Sequence, residues 1–111
     1  MDEKWSKSEK KIARKAYNAA YRRECDAIIA KVQQMASEME TPKDLWQLDD
    51  YLYEQRRDTD EKYDYRYSVL LVTFSSLLNE GWLTFEDLDG LSEAKLTHLR
   101  DMVRFYEQII Q

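Results

Sequence analysis

The sequence is poor in the residues that interrupt helices. Its 111 residues include two Gly and one Pro, which leaves little material for the tight turns of a β-rich fold. A hydrophobic content of 43%, with eight Tyr and three Trp, is sufficient for a packed core rather than a disordered chain. The composition therefore predicts one domain, residues 1–111, that is almost wholly helical.

The chain also has one cysteine and one histidine. Cys25 alone cannot form an intrachain disulfide, so secretion is not indicated, and its place on an apolar stripe predicts a core position. His98 is expected to face solvent, and a single histidine gives little support to a metal site or a Ser-His-Asp arrangement. Neither a Gly-rich phosphate-binding motif nor the spacing of a calcium loop is present. We therefore expect no enzyme activity and no cofactor.

Excess positive charge and long apolar runs are missing as well. The formal net charge of −5 argues against nucleic acid, whose binding needs a concentrated basic footprint. A basic stretch does run from Lys4 to Arg23, and it has two interpretations: a solvated helix face, or a docking surface for an acidic partner. No signal peptide is recognisable, and no apolar stretch approaches the ~20 residues of a membrane span. We expect no integral membrane segment and a cytoplasmic protein.

A first long helix is predicted over residues 6–40. Ser6 and Glu9 have the spacing of a capping box at its start. Six later side chains follow at spacings of four and three, which is typical of a helix packed along a partner helix. These are Tyr21, Cys25, Ile28, Val32, Met35 and Met39. Ala16, Ala19 and Ala20 keep the first half slim, so that another helix can approach closely.

A second long helix, antiparallel to the first, is predicted over residues 42–80. Thr41 supplies a cap, Pro42 suits the first helical position and Gly81 supplies a stop. Its centre, residues 54–62, contains no apolar residue. Charge ladders of roughly 0.2–0.5 kcal/mol each are too weak to support three turns. The expected ladders are Arg56 with Asp60, Arg57 with Glu61, and Asp58 with Lys62. We therefore expect support from a second copy of the chain, which predicts an isologous homodimer.

Both helices are longer than a compact globule of this size is wide. About 33 residues at ~1.5 Å each reach ~50 Å, whereas a compact domain of this length is ~34 Å across. We therefore expect an elongated molecule. Its exposed apolar faces are a second reason to predict dimerisation.

Tyr63, Tyr65 and Tyr67 alternate with polar residues as in a half-buried strand, which is the alternative structure for this segment. No other part of the chain offers an alternating partner, and a lone strand would leave its backbone unpaired. Helix is therefore predicted here. Residues 84–111 are predicted to form a small helical head that folds against residues 69–78, with capping residues at Thr84 and Ser92.

Four residues of the second helix share one side of it at spacings of four, three and three: Trp46, Asp50, Tyr53 and Arg56. Trp, Tyr and Arg dominate binding hot spots, so the pattern predicts a partner-binding surface. The alternative is that Trp46 completes the core against the first helix. The carboxylates of Asp49 and Asp50 diverge by about 100° around the helix and do not suit a shared metal.

The string DLWQLDDYLYEQRRDTDEKYDYRYSVL, with AYRRECDAIIAKVQ before it and LLNEG after it, resembles the fluorescence recovery protein family of cyanobacteria. The resemblance implies an all-helical dimer that binds the photoactivated orange carotenoid protein and speeds its return to the orange form. That reaction ends energy quenching at the phycobilisome, so the resemblance also implies a peripheral place at the thylakoid surface.

The family's functional Trp, Asp and Arg match Trp46, Asp50 and Arg56. Asp49 stands where members of the family are expected to carry His, which makes this part of the partner-binding surface more acidic. The alternative function is that of a helical dimeric adaptor without activity on the orange carotenoid protein.

Overall fold

The computed structural model describes residues 4–110, and within them the chain forms four α-helices and one short 3-10 helix. They are α1 (Lys7–Ser37), α2 (Pro42–Lys62), α3 (Leu70–Glu80), the 3-10 helix (Phe85–Leu88) and α4 (Glu93–Ile110). No strand occurs among these described residues, and the all-helical prediction is confirmed. Gln111, the last residue of the predicted head, lies outside the described residues.

Local sequence fixes the starts of the two long helices. The Ser6 hydroxyl accepts a hydrogen bond from the Glu9 backbone N–H, and the Glu9 carboxylate accepts one from the Ser6 N–H. Thr41 and Asp44 form the same reciprocal cap at the start of α2. α3 ends at Glu80 and is followed by Gly81, whose φ of 87° is left-handed and favours glycine.

The prediction of one continuous helix over residues 42–80 is wrong. α2 ends at Lys62, and α3 begins at Leu70. Residues 63–69 between them are neither helix nor strand, so the strand alternative is wrong as well. The interruption lets α3 fold back beside α1 instead of extending the arm formed by α2.

Burial of tyrosine rings against α1 explains the interruption. The rings of Tyr63 and Tyr65 both meet Tyr17 edge to face, at centroid distances of 5.4 and 4.8 Å. The Tyr17 hydroxyl donates to the backbone carbonyl of Tyr63, and the Thr73 hydroxyl donates to that of Asp64. These side-chain donors replace helical hydrogen bonds. The rings of Tyr63 and Tyr65 both bury apolar area against α1, whereas in a helix they would point to different sides of its axis.

The molecule has a head and an arm, and α1 belongs to both. In the head, residues 7–24 of α1 pack with α3, the 3-10 helix and α4 around one core. Its buried apolar side chains are Ala13, Ala16, Ala20, Leu70, Leu71, Phe74, Leu77, Leu83, Leu88, Leu91, Leu96 and Leu99. The predicted docking of the C-terminal segment on α3 is confirmed. Of the three alanines predicted to allow close packing, Ala16 and Ala20 are buried in this core and Ala19 is half-buried. The arm consists of residues 25–37 of α1 and the antiparallel α2.

The chain is elongated, as predicted. Its Cα radius of gyration is 16.9 Å and its principal extents are 53 × 33 × 23 Å, whereas a compact domain of this length would have a radius near ~13 Å. The arm accounts for the larger radius of gyration, because it consists of two helices that bury little of their surface. Within α2, Thr59 is the one buried residue.

The polar centre of α2, residues 54–62, receives support from its own chain, which the sequence prediction did not foresee. Lys62 Nζ lies 2.7 Å from a carboxylate oxygen of Glu24 on α1 and 2.8 Å from one of Glu80. Of the three predicted ladders, the described residues form the pair of Arg56 and Asp60, at 3.9 Å. Glu24 of α1 and Glu80 of α3 therefore hold the C-terminal end of this stretch.

Two single-residue predictions have different outcomes. Cys25 is half-buried in the arm and is not a member of the core, because a two-helix arm has no enclosed interior. His98 is exposed on α4, as predicted. Among residues 4–110, no cluster of three or more metal-ligating side chains occurs, and no helix is long and apolar enough to cross a membrane.

An acid-sensitive contact joins α1 to the 3-10 helix. Arg23 donates to both carboxylate oxygens of Asp87, at 2.8 and 3.1 Å, and the Thr84 N–H donates at 2.9 Å. The hydrogen bond from Arg23 outweighs partial burial and, with the Thr84 N–H, lowers the pKa of Asp87 to about 2. A lowered carboxyl pKa stabilises the fold above the unfolded-state pKa, and that contribution disappears as the pH falls through the folded-state value.

We expect Asp87→Asn to reduce the acid sensitivity of the fold. Between pH values of about 4 and about 2, the thermal midpoint of the native protein should fall more steeply than that of the variant. Circular dichroism melts across this range measure both slopes. Asp58→Asn, which changes an exposed carboxylate of α2, should keep the native slope. Equal slopes for the native protein and Asp87→Asn would contradict the prediction.

Candidate binding surface on the second helix

All five predicted site residues are exposed on α2. Trp46 is 61% exposed and Tyr53 is 68% exposed, and the Arg56 side chain is 85% exposed. Asp49 and Asp50 are exposed too. In this chain Trp46 does not complete the core, so that alternative is wrong. Large aromatic side chains exposed together on one element are typical of binding surfaces.

The five side chains fall within roughly 120° of the helix circumference, because successive residues are about 100° apart. They extend over about 15 Å of the helix axis, from position 46 to position 56. The half-buried and buried side chains of α2, among them Leu48, Gln55 and Thr59, lie on the opposite side, towards α1. We call the exposed set, Trp46, Asp49, Asp50, Tyr53 and Arg56, the α2 surface.

Arg56 also borders a groove between α1 and α2. The groove has a volume of about 320 Å³ and an apolar wall formed by Tyr21, Ile28 and Leu52. Tyr21 and Leu52 are both exposed. Arg56 is therefore placed where a group of another molecule could meet the guanidinium and an apolar wall together.

No strong intrachain contact occupies the charged groups of the α2 surface. The Arg56 guanidinium is 3.9 Å from the Asp60 carboxylate, and both side chains are exposed, so this pair is worth less than ~1 kcal/mol. Asp49 and Asp50 form no ion pair with the part of the chain that the structure describes. Their carboxylates and the guanidinium are free to make charge-assisted hydrogen bonds to another chain.

The sequence prediction missed three residues of this region. Arg57 lies four residues after Tyr53 and eleven after Trp46, which places it inside the same arc, and its side chain is exposed. Its spacing could have been recognised. Tyr21 was predicted to lie in a helix-packing seam, and Leu52, which repeats with Leu45 and Leu48 along one side of the second helix, was not predicted to border a groove. They border the groove because the arm has no third helix to cover them.

Comparisons with known proteins agree with one another. The model of the family described as photoprotection regulator fluorescence recovery protein matches residues 5–103. The fluorescence recovery protein of Synechocystis sp. is 38% identical over 100 residues, which are 90% of this chain and 92% of that protein. Two solved structures are similar over 91% of this chain and 99% of theirs, each with a TM-score of 0.87. They are the fluorescence recovery proteins of Fremyella diplosiphon, at 39% identity, and of Synechocystis sp., at 38%.

Proposed function

Because the chain belongs to the fluorescence recovery protein family of photoprotection regulators, we propose that it binds the photoactivated orange carotenoid protein. By binding, it accelerates the return of that protein to its orange form and so ends fluorescence quenching at the phycobilisome. The observation that carries the proposal is the exposure of Trp46 and Tyr53 beside charged groups without strong partners. The matched range of the family model includes all of α2.

Each type of side chain on the α2 surface has a role in the proposed contact. Trp46 is the apolar anchor, since a large exposed ring gains most from burial against a partner. Asp50 and Arg56 make charge-assisted hydrogen bonds that fix orientation. Tyr53 adds ring contact and a hydroxyl between them. Asp49 adds a second carboxylate, which favours a basic counterpart on the partner.

The acceleration needs no covalent step. A protein that binds the transition state of a domain-closing relaxation better than it binds the open form lowers the barrier to closure. Each ~1.4 kcal/mol of that preference gives a tenfold increase in rate. Contacts of the α2 surface that become shorter during closure would supply it.

We also propose that the working form is a homodimer joined through the arm. The support is that Tyr21, Ile29, Leu45 and Leu52 are exposed apolar side chains on the two arm helices. A second arm laid against the first would cover such side chains. In an isologous pair the α2 surface would occur twice.

Arg56→Leu tests the function. We expect recovery of orange absorbance in the dark to slow by an order of magnitude or more, because loss of charge-assisted hydrogen bonds removes roughly 1.5–3 kcal/mol. Purified, photoactivated orange carotenoid protein is mixed with the native chain or the variant, and visible absorbance is followed. Since the Arg56 side chain is 85% exposed, the thermal midpoint should change little.

Arg104→Leu is the matched control, because Arg104 is also exposed and faces a carboxylate at 3.8 Å, on α4. With this variant, orange absorbance should recover at the native rate.

Light scattering on all three proteins should give about twice the chain mass of 13.4 kDa. A native protein of single-chain mass at micromolar concentration would refute the homodimer. If the Arg56→Leu variant stays dimeric and orange absorbance recovers at the native rate, Arg56 has no part in the proposed function. No acceleration by the native protein would favour the adaptor function.

A further inference from the structure

A groove of about 670 Å³ lies between the start of α1 and residues 63–69, the non-helical segment that follows α2. Its lining residues are Lys7, Lys10, Lys11, Arg14, Lys15, Asn18, Tyr65 and Tyr67. The six from α1 recur at the spacing of one helical face, and the two tyrosines form the facing wall. We call this set the basic groove. It exists because residues 63–69 are not helical, so alternate tyrosines lie along α1.

The cations of the basic groove are not neutralised within the described residues. None of its four lysines or Arg14 forms an ion pair there. Aromatic rings hold two of them instead: the Arg14 guanidinium lies 3.6 Å from the centroid of the Tyr65 ring, and Lys10 Nζ lies 5.1 Å from that of Tyr67. Stacking on a ring positions a cation and leaves its N–H donors available. The groove therefore has five cations on one face of a chain whose net charge is −5.

We propose that the basic groove binds an acidic segment of a protein partner, as a second contact surface separate from the α2 surface. Cations four residues apart, such as Lys7, Lys11 and Lys15, repeat about every 6 Å along α1. Carboxylates on one face of an acidic helix have the same repeat, and alternate residues of an extended segment come close to it. Complementary charge also speeds encounter and fixes orientation. This proposal does not depend on the identity of the partner of α2.

The side chains around the groove favour a protein segment over a membrane. A helix that lies on a bilayer inserts large apolar side chains beside its cations. Among the exposed large apolar side chains of the described residues, Tyr67 is the one that lines the groove. The apolar side of α1 at this level is the alanine face, Ala13, Ala16 and Ala20, which is buried in the head. Nucleic acid is disfavoured because the rest of the chain is acidic.

The test uses fluorescence anisotropy with a fluorescein-labelled peptide of twelve glutamates. The groove variant combines Lys7→Gln, Lys11→Gln and Lys15→Gln, three exposed lysines outside the ring contacts of Lys10 and Arg14. The control variant combines Lys31→Gln, Lys43→Gln and Arg104→Gln, which removes the same charge elsewhere. We expect the groove variant to bind about tenfold more weakly than the native protein. The control should change affinity less than about twofold.

A charge-preserving variant, with Arg at positions 7, 11 and 15, should bind the peptide like the native protein, and circular dichroism should show all variants folded. Equal weakening in the groove and control variants would overturn the proposal, because binding would then follow net charge alone. So would absence of binding to the native protein at 50 mM salt. Sedimentation with phosphatidylglycerol vesicles forms the other arm. Vesicle binding that is lost in the groove variant, without peptide binding, would assign the groove to a membrane instead.

Discussion

Lys95→Ala is expected to lower the free energy of unfolding by about 3 kcal/mol. Lys95 is 3% exposed, and its Nζ lies 3.2 and 3.3 Å from the two carboxylate oxygens of Glu9. Its ammonium also lies 4.8 Å from the centroid of the Trp5 ring. Removal of the ammonium leaves the buried Glu9 carboxylate without its cation. The backbone N–H groups of Ser6 and Ser92 still donate to that carboxylate, so we expect the lower end of the usual 3–5 kcal/mol.

Glu9 stays ionised at neutral pH, which makes the loss of its partner costly. Burial alone would raise the pKa of Glu9, but hydrogen bonds from the Ser6 and Ser92 N–H groups and from Lys95 lower it to about 2. The pair also joins the first turn of α1 to the first turn of α4, residues that are 86 positions apart. Its loss should therefore weaken the head as a unit.

Urea denaturation followed by circular dichroism measures the change. Lys15→Ala, which truncates an exposed lysine on α1, should cost less than about 0.5 kcal/mol. Combining Lys95→Met with Glu9→Gln should recover part of the loss, because no unpaired charge is then buried and an amide can keep the helix cap. A loss below about 1 kcal/mol for Lys95→Ala would show that the pair contributes little to stability.

Glu24→Ala is expected to lower the free energy of unfolding by about 3 kcal/mol, because it weakens the junction of head and arm. Glu24 is buried and accepts hydrogen bonds from Lys62 Nζ at 2.7 Å and from the Tyr63 hydroxyl at 2.8 Å. These two donors are the last residue of α2 and the first of the non-helical segment 63–69. Burial and the bond to Glu24 raise the pKa of Tyr63, so its hydroxyl remains a donor at neutral pH. The substitution leaves both donors half-buried with fewer acceptors.

Glu80→Ala is the matched control, since Glu80 bonds the same ammonium at 2.8 Å but its side chain is 42% exposed. We expect it to cost less than about 1 kcal/mol. Urea unfolding compares the two, and hydrogen exchange of the amides near Lys62 should show local opening in Glu24→Ala alone. Equal costs for the two variants would mean that the burial of Glu24 has no special effect.

Sequence alone determined the features that depend on neighbours within about one helical turn. The capping boxes at Ser6 and Thr41 join residues three positions apart, so the local string contains both partners. The placement of Trp46, Asp50 and Tyr53 on one side of α2 follows from helical periodicity in the same way. Their exposure was decided by the tertiary structure, in which no further element of residues 4–110 packs on that side. The family, too, could be recognised from the residues of α2 and its flanks.

The tertiary structure decided where the second helix ends and which surfaces result. Nothing near residues 63–69 in the sequence excludes helix, and the local pattern allowed helix or strand. The observed non-helical path of residues 63–69 depends on contacts with Tyr17 and Glu24, which lie 46 and 39 positions before Tyr63. Contacts over such separations form only when the head packs, because ordering a long loop costs entropy that the packed rings and hydrogen bonds must outweigh. The basic groove depends on the same contacts, since two of its eight lining residues, Tyr65 and Tyr67, belong to the segment that packing holds against α1.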